Sequence, residues 1–387
     1  MTEHIAQANR SPEPASRVGA LAAPTEPPVP RRTVTPTGQS NRAGLVPRRF
    51  YRSFVGLLVG ALGSSFVLAV MVGSVSVPAA AVIRIVADHV GIGGTTDINP
   101  AIVQVVWDLR VPRALLTIVV GAGLSVAGAV IQVAVRNPLG DPYILGVVAG
   151  ASSGAVLVIV LGSAAAAGLG VSAAAFVGAL LATSATFLLG RRGARLPPTR
   201  VVLAGVAVAY LFSAVTFYLQ SIATPNELRR AVFWGLGSVA GAQWSDIGLP
   251  MIVVVVATTF LMIQGRSLNA LLAGDETASS LGVNVIALQI VLLVTASLLS
   301  AVVVAVAGGI GFVGLIVPHV ARMLVGADHR RALPVTVLVG ATFMLLVDLL
   351  ARTVRRPSEL PLGVVTAAIG APFFLWLLRR NRASGSM

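Results

Sequence analysis

Ten apolar runs, each close to the length of a bilayer crossing, make up most of this chain beyond residue 50. They lie near 51–74, 112–135, 143–162, 171–189, 200–219, 246–264, 285–307, 311–325, 333–353 and 361–378. A bilayer core takes about 20 apolar residues per helix. Inside it every backbone N–H and C=O needs a partner, so an isolated run of this kind resolves as an α-helix. Composition agrees. Of 387 residues, 56% are hydrophobic and 11% charged, against about a quarter charged in a soluble domain. There is too little polar surface to cover a water-soluble globule. The expected fold is an all-α polytopic membrane protein with ten transmembrane helices.

All 28 basic residues are arginine, and they cluster between the apolar runs. With the N-terminus inside and ten crossings, 19 arginines fall inside and 8 outside, with Arg322 left within a span. That bias is the one that retains loops in the cytoplasm. It predicts a multi-pass protein of the cell (inner) membrane with both termini cytoplasmic. The net charge of +14 is thereby accounted for without nucleic acid. Cysteine is absent, which excludes disulfides, thiolate metal sites and a cysteine nucleophile. The absence of lysine excludes a phosphate-binding Walker loop. His89 and His329 belong to no metal-ligating constellation. No nucleophile and base pair marks an enzyme, and no cofactor is expected on this chain.

Three organisational units are expected: a Pro, Ser, Thr and Arg-rich N-terminal tail over 1–48, disordered and cytoplasmic; a transmembrane domain over 49–382; and a short tail, 383–387. Within the second, 77–109 reads as lying on the membrane surface, with an amphipathic stretch from Ala79 to Val90 and a turn at Gly91, Gly93 and Gly94. The eighth run opens in a glycine cluster (Gly308, Gly309, Gly311, Gly314). Such a broken entry requires surrounding protein or a water-filled cavity. Small residues from Gly121 to Ala129 predict close helix packing. Asn137-Pro138 and Asp141-Pro142 read as turn residues, with the acid and amide as caps. His319, after Pro318, reads as a structural hydrogen-bonder.

Three features carry function. A polar island, Asn269 to Val285, interrupts two long apolar runs on the inner side. Its acidic pair, Asp275 and Glu276, suits a helix N-terminus, and Gly282 suits a sharp turn between two short helices. Outward arginines form a second feature: Arg110 and Arg113 at the mouth of the second run, and Arg352, Arg355 and Arg356 at the end of the ninth. They either reach lipid phosphates and pair with Asp108 or Glu359, or form a basic rim for an acidic partner or anionic solute. Third, Asp348 lies inside the ninth run, four residues before Arg352, where an intrahelical ion pair is the economical reading.

The sequence resembles the FecCD family of ABC-transporter permeases from about Phe50 to Arg380. The resemblance rests on motifs in order: Arg110-Val-Pro-Arg113, Gly121-Ala-Gly-Leu-Ser-Val-Ala-Gly128 with Gln132, Asn137-Pro-Leu-Gly-Asp-Pro142, Leu145-Gly146, and Gly150-Ala-Ser. Leu203-Ala-Gly205, Trp234-Gly-Leu-Gly-Ser238 with Trp244, Gly274-Asp-Glu-Thr-Ala278 and Leu281-Gly-Val283 follow. Gly309-Ile-Gly-Phe-Val-Gly-Leu-Ile-Val-Pro-His319, Asp328-His-Arg330, Glu359-Leu-Pro-Leu-Gly-Val-Val-Thr366 and Gly370-Ala-Pro372 close the series.

The resemblance implies a type II importer permease for an iron-siderophore, haem or cobalamin-like chelate. It implies a second permease subunit, identical or sibling, and two separate ABC ATPase subunits that hold ATP and Mg. An external substrate-binding protein would dock on Arg110, Arg113 and Arg352. Gly274, Asp275, Glu276, Ala278, Leu281 and Gly282 would form the ATPase-coupling surface, with coupling helices over 266–284. A cytoplasmic gate would fall at Pro198 and Thr199, where Pro198 stiffens the loop and removes a donor. The alternative is a self-sufficient secondary transporter or channel using a midplane carboxylate, for which only Asp348 qualifies.

Overall fold

The computed structural model describes residues 44–73, 76–92, 98–193, 195–355 and 357–383. Arg356, Gly93, Gly94, residues 384–387 and nearly all of the expected N-terminal tail lie outside them. The described residues form helices α1 (Tyr51–Met71), α2 (Ala79–His89), α3 (Pro100–Gln104), α4 (Val111–Ala134) and α5 (Val147–Leu161). They continue as α6 (Val171–Gly190), α7 (Pro198–Ser221), α8 (Pro225–Gly235), α9 (Gly248–Ile263) and α10 (Gly265–Leu272). The series ends with α11 (Asp275–Ser280), α12 (Val285–Ala307), α13 (Val313–Val325), α14 (His329–Thr353) and α15 (Leu362–Ala383). Seven helical stretches are long and apolar enough to cross a bilayer, and α5, α13 and the Leu362–Leu377 part of α15 are shorter apolar helices. Each of the ten expected runs coincides with one of these.

The bundle is built around α4. Its most apolar window is 89% buried, against 11% for α1 and 22% for α7. The outer helices keep their apolar side chains exposed, as lipid-facing helices do. Between helices in lipid there is no hydrophobic gain, so close van der Waals fit decides packing. Glycines supply it. A methyl group added at Gly121 would strike the backbone of Gly340 in α14, and one at Gly128 the backbone of Gly314 in α13. Gly150 in α5 and Gly178 in α6 face each other in the same way. The small-residue stretch read from Gly121 onward is this contact.

The broken entry to α13 has its predicted surroundings. Gly308 takes φ +71° and the chain runs non-helically to Phe312. The Ser238 N–H donates to Ala307 O at 2.8 Å, the Leu362 N–H to Gly237 O at 3.0 Å, and the Gly363 N–H to Leu236 O at 3.0 Å. The loop after α8 and the start of α15 thus use their own free backbone groups around the break. Bulk at Gly309 would meet the backbone oxygen of Gly235, so three irregular segments meet at this point because each is glycine-bearing.

Two features were not anticipated. First, the helix bearing α4 begins at Pro100, inside the segment expected on the membrane surface. The Asn99 side chain accepts from the Ala101 N–H, Pro100 occupies the first turn, and its missing N–H costs nothing there. Val105–Arg110 is wound as a π-helix before α4. Pro112, two residues further on, lacks the N–H that a regular α-turn would need, so the wider turn accommodates it. Second, the packed chain is already in place at Leu45 and Val46. Their N–H groups donate to Met323 O at 3.1 Å and Leu324 O at 2.8 Å, which serves carbonyls that the end of α13 leaves without helical partners.

Packing by glycine predicts a sharp contrast. Gly128→Val should lower the thermal stability of the detergent-solubilised chain by about 1–3 kcal/mol, the usual cost of overpacking. Gly56→Val, where nothing lies within 4 Å, should leave the midpoint unchanged. Equal effects at the two positions would contradict this packing.

Candidate functional site

The three rim arginines converge around the last turn of α1. The Arg110 guanidinium donates to Val70 O at 2.8 Å and Met71 O at 3.0 Å. Arg352 donates to Val72 O at 3.0 Å and Ala69 O at 2.6 Å. These carbonyls sit at a helix C-terminus, where partners are missing and positive charge is favourable. Arg113 takes the carboxylates. It donates to Asp348 at 2.8 and 3.0 Å and grips Glu359 with two bonds of 2.9 and 2.8 Å.

Asp348 is fully buried and lies between Arg113 and Arg352. Its i, i+4 ion pair with Arg352 is present at 3.4 Å, but Arg113 makes the shorter, hydrogen-bonded contact. Glu359 is held below the usual carboxylate range because the Arg113 hydrogen bonds favour its charged form more than partial burial disfavours it. The rim is therefore an interlinked network, in which the facing Asp348 Oδ2 and Arg352 Nε make an ion pair but no hydrogen bond. Arg113 remains 13% exposed at its side chain and Arg352 9%. Arg355 lies beyond it. Trp107 from the π-helix stacks on His89 at 4.0 Å and meets Trp244 at 4.7 Å, whose ring N–H donates to Trp107 O. That cluster fastens α2 and the loop before α9 to the same end of the bundle.

At the opposite end the polar island folds as two short helices, α10 and α11. Gly274, at φ +111°, separates them, and Gly282, at φ +80°, makes the turn towards α12. Asp275 and Glu276 occupy the first turn of α11, the end where negative charge is favoured. Ala278 is buried while Leu281 is exposed. Asp275 forms an ion pair with Arg136, the residue just past the end of α4. Arg136 has a positive φ of 50°, a conformation uncommon for a non-glycine residue.

A cavity of about 550 Å³ joins this pair to Leu196, Pro197 and Pro198. One residue from each expected set, Pro198 of the gate and Asp275 of the coupling surface, lines this space. Pro198 does not stiffen a loop, however. It is the first residue of α7, with Pro197 as its N-cap and Thr199 in the first turn, so its missing N–H is one the helix would not use.

The other residues singled out in the sequence lie as follows. Asn137 accepts from the Leu139 N–H and Asp141 from the Tyr143 N–H, so both act as turn caps. Burial pushes the Asp141 carboxyl up to about 6, against the opposing effect of that bond. His319 lies edge-on to Phe373 of α15, with ring centres 6.3 Å apart. His329 is buried against Asn269 at 2.9 Å. Among the described residues no group of His, Asp and Glu is arranged to hold a metal ion.

The sequence anticipated the Asp348–Arg352 pair and a contact to Glu359, but not the Arg113–Asp348 bond or the α1 carbonyls that Arg110 and Arg352 hold. Arg113 and Asp348 are 235 residues apart, and no local pattern links them. The Arg136–Asp275 pair was likewise missed, although Arg136 immediately precedes the Asn137-Pro-Leu motif.

The profile of the FecCD transport family matches residues 51–380. The cobalamin import system permease BtuC of Halobacterium salinarum is 44% identical over 275 residues, covering 71% of this chain and 73% of that protein. The hemin transport system permease HmuU of Yersinia pestis is 40% identical over 294 residues, covering 75% and 88%. Among solved structures, an inward-facing metal-chelate type ABC transporter superposes with a TM-score of 0.73 at 34% identity, covering 85% of this chain and all of the other. A network of arginines at one end of a helical bundle, a two-helix island clamped at the other, and this match over nearly the whole apolar chain have one conclusion: the chain belongs to the FecCD transport family of ABC-transporter permeases.

Proposed function

We propose that this chain is the membrane-spanning half of an ATP-driven importer for a metal chelate, an iron-siderophore first among them. One observation carries the reading. The same buried helix, α4, has Arg113 at one end and leads at the other into Arg136, which holds Asp275 of the island. Its 24 residues span about 36 Å, enough to join the two faces of a membrane. The relatives named for cobalamin and hemin import support the chelate class.

In this reading both termini are cytoplasmic, and α10 and α11 face two separate ATPase subunits. Movement of those subunits on binding ATP shifts α11, and the Arg136–Asp275 clamp passes the shift to α4. On the outer face a binding protein presents carboxylates to Arg110, Arg113 and Arg352. Arg113 is already held by Glu359, so an incoming carboxylate exchanges with Glu359 rather than meeting a bare cation. Partly exposed pairs are each worth about 0–1 kcal/mol, which suits a partner that must leave after each cycle. The permease pairs with a second copy or a sibling, and the chelate passes between them. Its cavity near Pro198 and Thr199 lies beside the coupling surface, where closure and ATPase state would be linked. A proton- or ion-driven carrier is less well supported: Asp348 is committed to two arginines.

Replacing Asp275 and Glu276 together by Lys should abolish co-purification of the ATPase subunits and reduce ferric-siderophore uptake to the level of cells lacking the chain. Undiminished association and uptake would remove the coupling role. Deletion of the chain should abolish uptake of the labelled siderophore and leave cobalamin uptake intact; the reverse pattern would reassign the substrate.

At the rim, Glu359→Gln should tighten binding-protein docking by a few-fold, measured by surface plasmon resonance on the reconstituted complex. The sign with pH follows from the lowered Glu359 carboxyl. The native pair is intact above the ordinary carboxylate range and is lost as pH falls through its lowered value. As pH falls through that value, docking to the native chain should therefore weaken less than docking to Glu359→Gln, because the native chain alone sheds a competing charge. Arg113→Ala, which strands a buried charge on Asp348, should cost about 3–5 kcal/mol of stability and weaken docking together.

A further inference from the structure

We propose that Arg322, together with Arg136, forms a binding site for a phosphate-class oxyanion at the island end of the bundle, a site separate from the rim that shares Arg136 with the Arg136–Asp275 clamp. It stands independently of the transport reading.

A cavity of about 230 Å³ is lined by Gln132 and Arg136 from α4 and its end, Leu272 from α10, Arg322 from α13 and His329 from α14. A water occupies about 30 Å³ in the liquid, so there is room for a tetrahedral oxyanion with several waters. The guanidinium of Arg322 is aimed. It donates to Gln132 Oε1 at 2.6 Å, while Gln132 Nε2 donates to Gly314 O at 3.1 Å. The second bond fixes which way the amide points, and the first then fixes Arg322. A guanidinium has five N–H donors. Among the described residues Gln132 is the one hydrogen-bond partner of Arg322, and no carboxylate comes within ion-pair distance of it.

The charges around the cavity do not cancel. Arg136 is balanced by Asp275. Asp328, the other acid nearby, accepts from Asn269 Nδ2 and the Arg330 N–H. His329 has its backbone N–H and Nδ1 on Asn269 Oδ1. Arg322 is left with a neutral partner, and a partly buried charge needs either water or a counter-ion. Its place in the last turn of α13 suits a cation. That accounts for its position in the helix, but not for the amide that orients it towards an open space shared with a second arginine. The guanidinium of Arg322 from α13 and that of Arg136 from the turn after α4, the latter shared with Asp275, suit phosphate oxygens, which accept from several directions at once. The phosphate is either inorganic phosphate from solution or the headgroup of an anionic lipid.

Two measurements on the purified full-length chain separate these sources. In detergent, inorganic phosphate is titrated calorimetrically against sodium chloride of equal ionic strength. In nanodiscs of mixed phosphatidylglycerol and phosphatidylcholine, native mass spectrometry records the lipid that stays bound. Saturable phosphate binding, weakened about tenfold or more by Arg322→Gln as loss of a charge-assisted bond requires, supports the soluble source. Selective retention of phosphatidylglycerol, lost in Arg322→Gln and partly restored in Arg322→Lys, supports the lipid. If Arg322→Gln does not fold, Arg136→Gln takes its place with the same outcomes. Neither binding in the native chain, or binding that both variants leave unchanged, overturns the site.

Discussion

A single buried carboxylate organises the rim end of this protein. Asp348 is fully covered and accepts from Arg113 while lying 3.4 Å from Arg352. Removing one member of such a group leaves the others charged and unpaired, a loss of about 3–5 kcal/mol. Through Arg352, and through Arg110 beside it, the end of α1 is capped; through Arg113, Glu359 and the loop before α15 are tied in. Four segments distant in sequence are thereby held in one arrangement. The hydrophobic effect does not select among helix partners in lipid, so polar contacts of this kind and glycine contacts along α4 decide how the bundle is assembled.

The two contact types divide the work by depth. Glycine at 121 and 128 lets α14 and α13 touch the α4 backbone in its middle. Ion pairs appear at the two ends, where side chains reach polar surroundings. A buried helix gripped along its length and charged at its ends has the form of a rod, with Arg113 near its start and Arg136, paired with Asp275, just past its end. Interiors packed this closely transmit strain instead of absorbing it. The geometry of α4 therefore supplies a stiff connection between the two ends of the bundle, on which the proposed importer reading rests.

Much of this was legible from residues alone. Among the described residues, apolar length located the seven helices long enough to cross a bilayer and three shorter apolar ones, because the bilayer imposes a length on each run. The glycine break before α13, the two-helix island and the Asp348–Arg352 pair were readable because each is local, within a few residues. What escaped was either long-range or a matter of one turn. Nothing near Asp348 in sequence points to Arg113, and nothing near Asp275 points to Arg136. The helical start at Pro100 was hidden by the glycines before it, and the role of Pro198 turned on whether α7 begins at 198 or two residues later, a boundary that apolar periodicity does not resolve.

The central claim is that this chain moves solute only when a separate ATPase drives it. The direct measurement is uptake of a labelled ferric siderophore into proteoliposomes containing the purified chain alone, and then the chain reconstituted with its ATPase subunits and binding protein. The account predicts no uptake by the chain alone, with or without nucleotide, and ATP-dependent uptake by the full assembly. Uptake by the chain alone without nucleotide would contradict it.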